Sequence, residues 1–206
     1  MIIRFLSALA LVLALGACAE KSPYADDATV AAARYSDPGN PSLTLFTMVN
    51  NRTGKGGHSA LLINASERVI FDPAGSFYAD IVPERNDVLF GISPRVEQAY
   101  RSAHARSTHH VVRQTIAVTP EQAETAYRLA LSNGAVPGAF CANATSGLLH
   151  KVPGFEWVKQ TYYPTKLEEQ FAGIPGIVTD SYYEGDSADL KAGLEKSNAE
   201  LNQQPN

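Results

Sequence analysis

Cysteine and histidine are the two residue types here that can combine into a nucleophilic site. The chain of 206 residues holds 2 cysteines and 5 histidines. Cys141 begins the segment Cys141–Leu149, which has the composition of a short helix. Unpaired N–H groups and a partial positive charge at a helix N-terminus lower a thiol pKa and can bind an oxyanion. Cys141 is therefore the candidate nucleophile.

A histidine and an aspartate stand where they can meet. His58 follows two glycines at the start of a predicted strand, 58–63, and Asp72 ends the next predicted strand, 69–72. A short connection predicts an antiparallel hairpin, with both residues near the same end. An aspartate there can hold the imidazole in the useful tautomer. Because Asp-Pro also forms turns, a turn-forming role of Asp72 stays open.

The other histidines and several tyrosines have simpler interpretations. No set of Asp, Glu or Cys at ligand spacing accompanies His104, His109 and His110, so we expect surface histidines and predict no metal or other cofactor. His150 is expected in the last turn of the nucleophile helix. Four tyrosines either line a groove for a glycan or peptide or pack at a domain edge: Tyr162, Tyr163, Tyr182 and Tyr183.

Strand and helix patterns are mixed along the chain, which predicts an α+β protein. The alternation and β-branched content favour strands at 43–50, 88–92 and 110–118. Helices are predicted at 94–105, from Thr119 to about residue 133, at the Cys141 segment, and at 165–172. Residues beyond about 180 are polar, and 189–202 are expected to form a solvated helix or to stay disordered.

The N-terminus has the pattern of a secretory signal. A basic residue and a short apolar run precede Leu15-Gly16-Ala17-Cys18, which resembles the lipobox of bacterial lipoproteins. The resemblance implies a signal peptide at 1–17 and lipidation of Cys18. Because no aspartate follows that cysteine, the expected location is the cell envelope, on the periplasmic side of the outer membrane.

The length of the remaining chain predicts one domain, and its charge argues against one class of partner. Hydrophobic residues make up 45% and charged residues 18%, as in globular proteins. The net charge is −4 and there is no basic stripe, so nucleic acid is not an expected partner. We expect a tether at 18–41, a catalytic domain at 42–180 and a polar C-terminal tail at 181–206. With Cys18 lipidated, Cys141 has no partner for an intrachain disulfide.

Three short segments resemble one family. Residues 57–63 and 69–72 are similar to the histidine strand and third-residue strand of the NlpC-type cell-wall peptidases, and residues 140–149 are similar to their nucleophile helix. Here the histidine precedes the cysteine, as in the circularly permuted papain-like branch, which includes lecithin:retinol acyltransferase relatives and bacterial permuted amidases. The resemblance implies a papain-like fold whose central antiparallel sheet packs on the nucleophile helix. It also implies Cys141 as nucleophile, His58 as base and Asp72 as orienting residue.

The sequence thus favours a lipid-anchored periplasmic cysteine hydrolase that cleaves an amide or peptide bond. The expected partners are the membrane, through the N-terminal lipid, and a peptide, cell-wall or acyl substrate. Two alternatives stay open. One is a thioesterase or lipid acyltransferase of the same fold, and the other is a binding lipoprotein that has lost catalysis.

Overall fold

A computed structural model describes residues 23–203. The predicted signal peptide and the predicted lipidation site, Cys18, lie outside the described residues. Within the described range the protein is mixed α/β, with one antiparallel sheet of seven strands and six helices. The predicted α+β composition is confirmed at this level.

The sheet has the strand order β4-β5-β3-β2-β1-β6-β7, and every neighbouring pair is antiparallel. The strands are β1 (Ser42–Asn50), β2 (Gly56–Asn64), β3 (Arg68–Phe71), β4 (Glu84–Arg85), β5 (Val88–Leu89), β6 (His109–Ala117) and β7 (Val178–Tyr182). The interior strand β1 has buried residues on both faces. Layers of structure therefore cover both sides of the sheet.

Six helices surround the sheet. They are α1 (Asp27–Ala32), α2 (Pro94–His104), α3 (Pro120–Asn133), α4 (Cys141–Leu149), α5 (Pro164–Ala172) and α6 (Leu190–Gln203). The predicted start of α3 is confirmed, because Thr119 and Gln122 form a reciprocal capping box there. The predicted helix that begins at Cys141 is also confirmed, and α4 has no side-chain cap.

Two cores lie on opposite faces of the sheet, since alternate residues of a strand point to opposite sides. On one face Leu43 and Leu45 pack with apolar side chains of α3, α4 and α5. On the other face Phe46 and Met48 pack with those of α2 and α6. Helix α4 and helix α2 therefore pack on opposite faces of the sheet.

The C-terminal residues pack against the second core. The range predicted as a polar tail, 181–206, contains the end of β7 and all of α6. Leu194 and Leu201 of α6 are 6% and 2% exposed and belong to that core. For residues 189–202 the disordered alternative is therefore wrong, and the helix is not fully solvated. The sequence signal was weak because only a narrow apolar stripe of α6 is buried.

The residues that precede β1 contact the β4–β5 hairpin. The N–H of Ala25 donates to the Glu84 carbonyl at 2.9 Å, and the N–H of Asn86 donates to the Pro23 carbonyl at 3.2 Å. The Arg85 guanidinium lies 4.9 Å from the centre of the Tyr24 ring. Part of the predicted tether, 18–41, is therefore attached to the domain. Between residues 23 and 203, no helix has both the length and the apolar character needed to cross a membrane.

Candidate active site

A β-bulge sets the position of His58 at the start of β2. Met48 pairs with His58 and Val49 pairs with Gly56, which leaves Gly57 without a partner on β1. Bulges bend a strand and reorient the side chains beside them. A Cβ at Gly56 would lie 2.7 Å from the Cβ of Pro164, so glycine is needed for α5 to approach β2 this closely.

Asp72 follows β3 directly and binds His58. His58 Nε2 lies 2.7 Å from Asp72 Oδ1, and the two side chains are 15% and 3% exposed. With Nε2 donating to the carboxylate, Nδ1 is the ring nitrogen left for Cys141. The orientation matches what a base in a nucleophile–base–carboxylate site requires.

A tight turn holds the Asp72 carboxylate in place. The Gly75 N–H donates to the Asp72 carbonyl at 2.9 Å, and Ala74 has a φ of 55°, as the third position of a type II turn requires. A Cβ at Gly75 would lie 1.9 Å from Asp72 Oδ2. Asp72 therefore has both of the roles considered from the sequence: its backbone begins a turn, and its side chain contacts His58.

Cys141 is the first residue of α4 and lies against His58. The residue is 7% exposed. Burial alone raises the pKa of its thiol, but the hydrogen bond and charge of His58 and the backbone N–H groups of Ser59 and Ala142 outweigh burial and lower the pKa. These contacts stabilise a thiolate, which is the nucleophilic form of cysteine.

The pKa of His58 shifts in the opposite direction to that of Cys141. Burial alone lowers the pKa of His58, but the charge and hydrogen bond of Asp72, together with the contact to Cys141, outweigh burial and raise the pKa to about 10. For Asp72, burial raises the pKa, while His58, His104 and Tyr100 outweigh burial and lower it. At neutral pH these directions favour an imidazolium between a thiolate and a carboxylate.

The N-terminal turn of α4 can receive a developing negative charge. Phe140 occupies the N-cap position and makes no side-chain cap hydrogen bond. The helix dipole and the N–H groups of this turn that do not face the Cys141 sulfur are therefore available to an oxyanion beside it.

Two residues of α2 complete the surroundings of Asp72. The Tyr100 hydroxyl donates to Asp72 Oδ1 at 2.7 Å. The ring of His104 stacks on that of His58, with 6.1 Å between their centres. Tyr100 and His104 are four residues apart, so both lie on the face of α2 that packs on the sheet. The helical spacing of Val96, Tyr100 and Ala103 was the signal that could have identified this face.

The expectation that His104 is a surface histidine is therefore wrong. His104 is 7% exposed, and its Nδ1 lies 2.8 Å from the Tyr100 carbonyl. Burial lowers the pKa of His104 to about 4, with smaller opposing and supporting effects from Asp72 and His58. The ring is neutral at physiological pH and adds no charge beside His58.

The other predicted candidates lie apart from the Cys141 site or at its edge. His110 stacks on Tyr183 at 4.5 Å, and His150 contacts the Val158 carbonyl at 3.1 Å. Tyr182 lies under Arg101. Among residues 23–203, no group of three or more His, Cys, Asp or Glu side chains has the arrangement of a metal site.

Aromatic side chains form an exposed rim beside Cys141. The Phe140 and Tyr162 rings meet edge to face with 5.4 Å between their centres, and they are 41% and 56% exposed. Tyr163 is 69% exposed and precedes Pro164, which packs on Gly56. Of the four tyrosines considered from the sequence, Tyr162 is therefore the one that contacts the residue next to Cys141, and Tyr163 is exposed beside it in the chain.

No protein-family model, curated protein or solved structure matches this chain with significance. The functional assignment therefore depends on the geometry of the site and on the chemistry of its side chains.

Proposed function

We propose that this protein is a cysteine hydrolase whose nucleophile is Cys141. The observation that carries the proposal is the chain of contacts from Asp72 through His58 to Cys141 at the uncapped start of α4. A buried structural cysteine is usually inert, whereas this thiol faces the cationic form of His58 and the N–H groups of Ser59 and Ala142, which lower its pKa.

The reaction begins from the thiolate of Cys141. It attacks the substrate carbonyl carbon, and the resulting oxyanion accepts hydrogen bonds from the first turn of α4. His58 then gives its proton to the leaving amine nitrogen, the C–N bond breaks, and a thioester remains on Cys141. Water attacks the thioester while His58 takes a proton from it. The acid product leaves, and the thiolate–imidazolium pair is restored.

We propose a circularly permuted papain-like fold for the domain. Three features support it: the chain order His58, Asp72, Cys141, the position of the base on a strand of an antiparallel sheet, and the nucleophile at the start of a helix that contacts this strand. In the same proposal the protein belongs to the permuted branch of the NlpC-type peptidases. It is anchored through lipid on Cys18 to the periplasmic side of the outer membrane.

An amide or peptide bond is the proposed substrate linkage. The rim of Phe140, Tyr162 and Tyr163 offers flat surfaces with hydroxyl groups, which suit the side chains and backbone of a peptide. The apolar ring of Phe140 next to Cys141 also favours a second candidate, a thioesterase or lipid acyltransferase that uses the same residues. Parallel assays with peptide amides and acyl thioesters distinguish the two.

Thiol reactivity tests the proposal. We would measure alkylation of Cys141 by iodoacetamide from about pH 4 to about pH 9 in a Cys18→Ser protein, with and without His58→Ala. The expected wild-type profile rises well below the free-thiol pKa of about 8.5, and loss of His58 moves it upward. An ordinary profile that His58→Ala leaves unchanged would reject the hydrolase and favour a binding lipoprotein. Cys141→Ala should abolish turnover while the fold is retained.

A further inference from the structure

One oxygen of Asp72 receives two side-chain hydrogen bonds. Oδ1 accepts from His58 Nε2 at 2.7 Å and from the Tyr100 hydroxyl at 2.7 Å. The other oxygen, Oδ2, lies against the backbone of Gly75. The carboxylate is thus held on both sides, with Oδ1 directed to the histidine.

Packing fixes the Tyr100 hydroxyl where it is. Tyr100 is 0% exposed. Its ring lies 5.4 Å from the Phe46 ring, 5.1 Å from the Phe77 ring and 4.4 Å from the His104 ring, measured between centres. A buried hydroxyl that loses its partner is strongly disfavoured, so the hydroxyl stays on Asp72.

We propose that Tyr100 is a positioning residue of the reaction. Its hydroxyl keeps Oδ1 of Asp72 on His58 Nε2, so that the opposite nitrogen of the imidazole stays turned to Cys141. Tyr100 acts through Asp72 and is not a catalytic residue in its own right. This inference rests on the proposed hydrolase function, because it assigns a role within the same site.

The titratable groups around the Asp72–Tyr100 pair come from four elements and from the β4–β5 turn. They are His58 of β2, His104 of α2, Glu84 of β4, Cys141 of α4 and Asp87 of the turn. His104 remains neutral above about pH 4. Burial raises the pKa of Glu84 to about 7, with further contributions from Asp72 and Asp87, so this group titrates within the range of interest. All the variants described below retain it.

A tyrosine elsewhere in the chain provides a matched control. The Tyr127 hydroxyl, on α3, donates to Glu67 Oε2 at 3.1 Å and lies on the other core. Tyr100→Phe and Tyr127→Phe each remove one hydroxyl that donates to a carboxylate. Both rings keep their packing, so both variants should fold.

The experiment compares these variants as full-length Cys18→Ser proteins. We expect Tyr100→Phe to raise the apparent pKa of Cys141 in the alkylation profile and, at pH values below the midpoint of the parent profile, to slow alkylation by about tenfold, as a shift of one pKa unit would. Tyr127→Phe should leave the profile within about twofold of the parent. Thermal unfolding midpoints report the structural cost of each lost hydroxyl separately.

A double-mutant cycle adds a second readout. If Tyr100 acts through Asp72, Tyr100→Phe should cause no further shift in an Asp72→Asn background, whereas independent effects would add. Additive shifts would overturn the proposal, and so would a Tyr100→Phe profile that superimposes on the parent profile while His58→Ala moves it. If His58→Ala also leaves the profile unchanged, the hydrolase proposal fails together with this one.

Discussion

Asp87 joins the loop before Cys141 to Asp72, the partner of His58. Its Oδ2 accepts the N–H of Val136 at 2.8 Å, in the loop that leads to Cys141. Its main-chain carbonyl accepts the N–H of Asp72 at 2.8 Å. Both parts of the site therefore depend on one residue in the β4–β5 turn.

Removal of the Asp87 carboxylate should destabilise both loops. Asp87→Ala leaves the N–H groups of Val136 and Ala74 without this acceptor, and we expect a loss of about 2 kcal/mol in the free energy of unfolding. Asp87→Asn keeps an acceptor oxygen and tolerates the φ of 63°, so it should lose less. Urea denaturation of both variants measures this difference, and equal losses would contradict it.

Asp72→Asn should lower the pKa of His58 from about 10, because the charge of Asp72 is the largest effect that raises it. The amide is isosteric, but it favours the wrong imidazole tautomer. We therefore expect kcat to fall by a factor of about 10⁴, as in serine hydrolases with this change. Titration of the His58 ring by NMR and kinetics on an active substrate test both effects. An unchanged His58 pKa would show that Asp72 is not its partner.

The raised pKa of His58 also predicts how stability depends on pH. The folded value is about 10 and the ordinary value is 6.5. The folded state then holds the proton more tightly, so the contribution of His58 is complete below pH 6.5 and is lost as the pH rises to about 10. The stability difference between the parent and His58→Gln, measured by denaturation, should therefore shrink across this interval. A difference that grows with pH would have the wrong sign.

Gly75→Ala tests the turn that holds the Asp72 carboxylate. The new Cβ would overlap Oδ2, so the carboxylate must move away from His58. We expect a loss of about 1–3 kcal/mol in stability, as for other overpacked sites, together with a slower alkylation of Cys141. Gly185→Ala is the control, because nothing lies within 4 Å of a Cβ there. If both alanine variants match the parent, the turn is not a constraint on Asp72.

Local signals explain which parts of this structure the sequence could predict. The Thr119 capping box, the helix that begins at Cys141 and the hairpin between β2 and β3 are each encoded within a few consecutive residues. The hairpin alone predicts the His58–Asp72 pair, because it brings the two residues to the same end of adjacent strands. The prediction that Cys141 lies beside this hairpin rested on the family resemblance, since no local pattern specifies that contact.

Long-range contacts explain why the sequence did not predict strand β7 or the positions of Tyr100 and His104. Strand β7 is mostly exposed and polar, and it pairs with β6, far away in the chain. Ion pairs support this pairing: Asp180 of β7 binds Arg113 at 2.6 Å and also contacts Arg101. Tyr100 and His104 could be assigned to a helix but not to a partner. The helix face that carries Tyr100 and His104 contacts the end of a strand, and the choice of strand depends on how α2 packs on the sheet.

The attachment of residues 23–25 to the β4–β5 hairpin shortens the chain that can separate Cys18 from the domain. With lipid on Cys18, only five steps of chain join the anchor to Pro23, a contour of at most about 18 Å. On the proposed lipid anchor, the domain would act only within a thin layer next to the bilayer surface, and bonds farther from the membrane would lie out of range. Distance from the membrane, as much as the chemistry around Cys141, would then select the substrate.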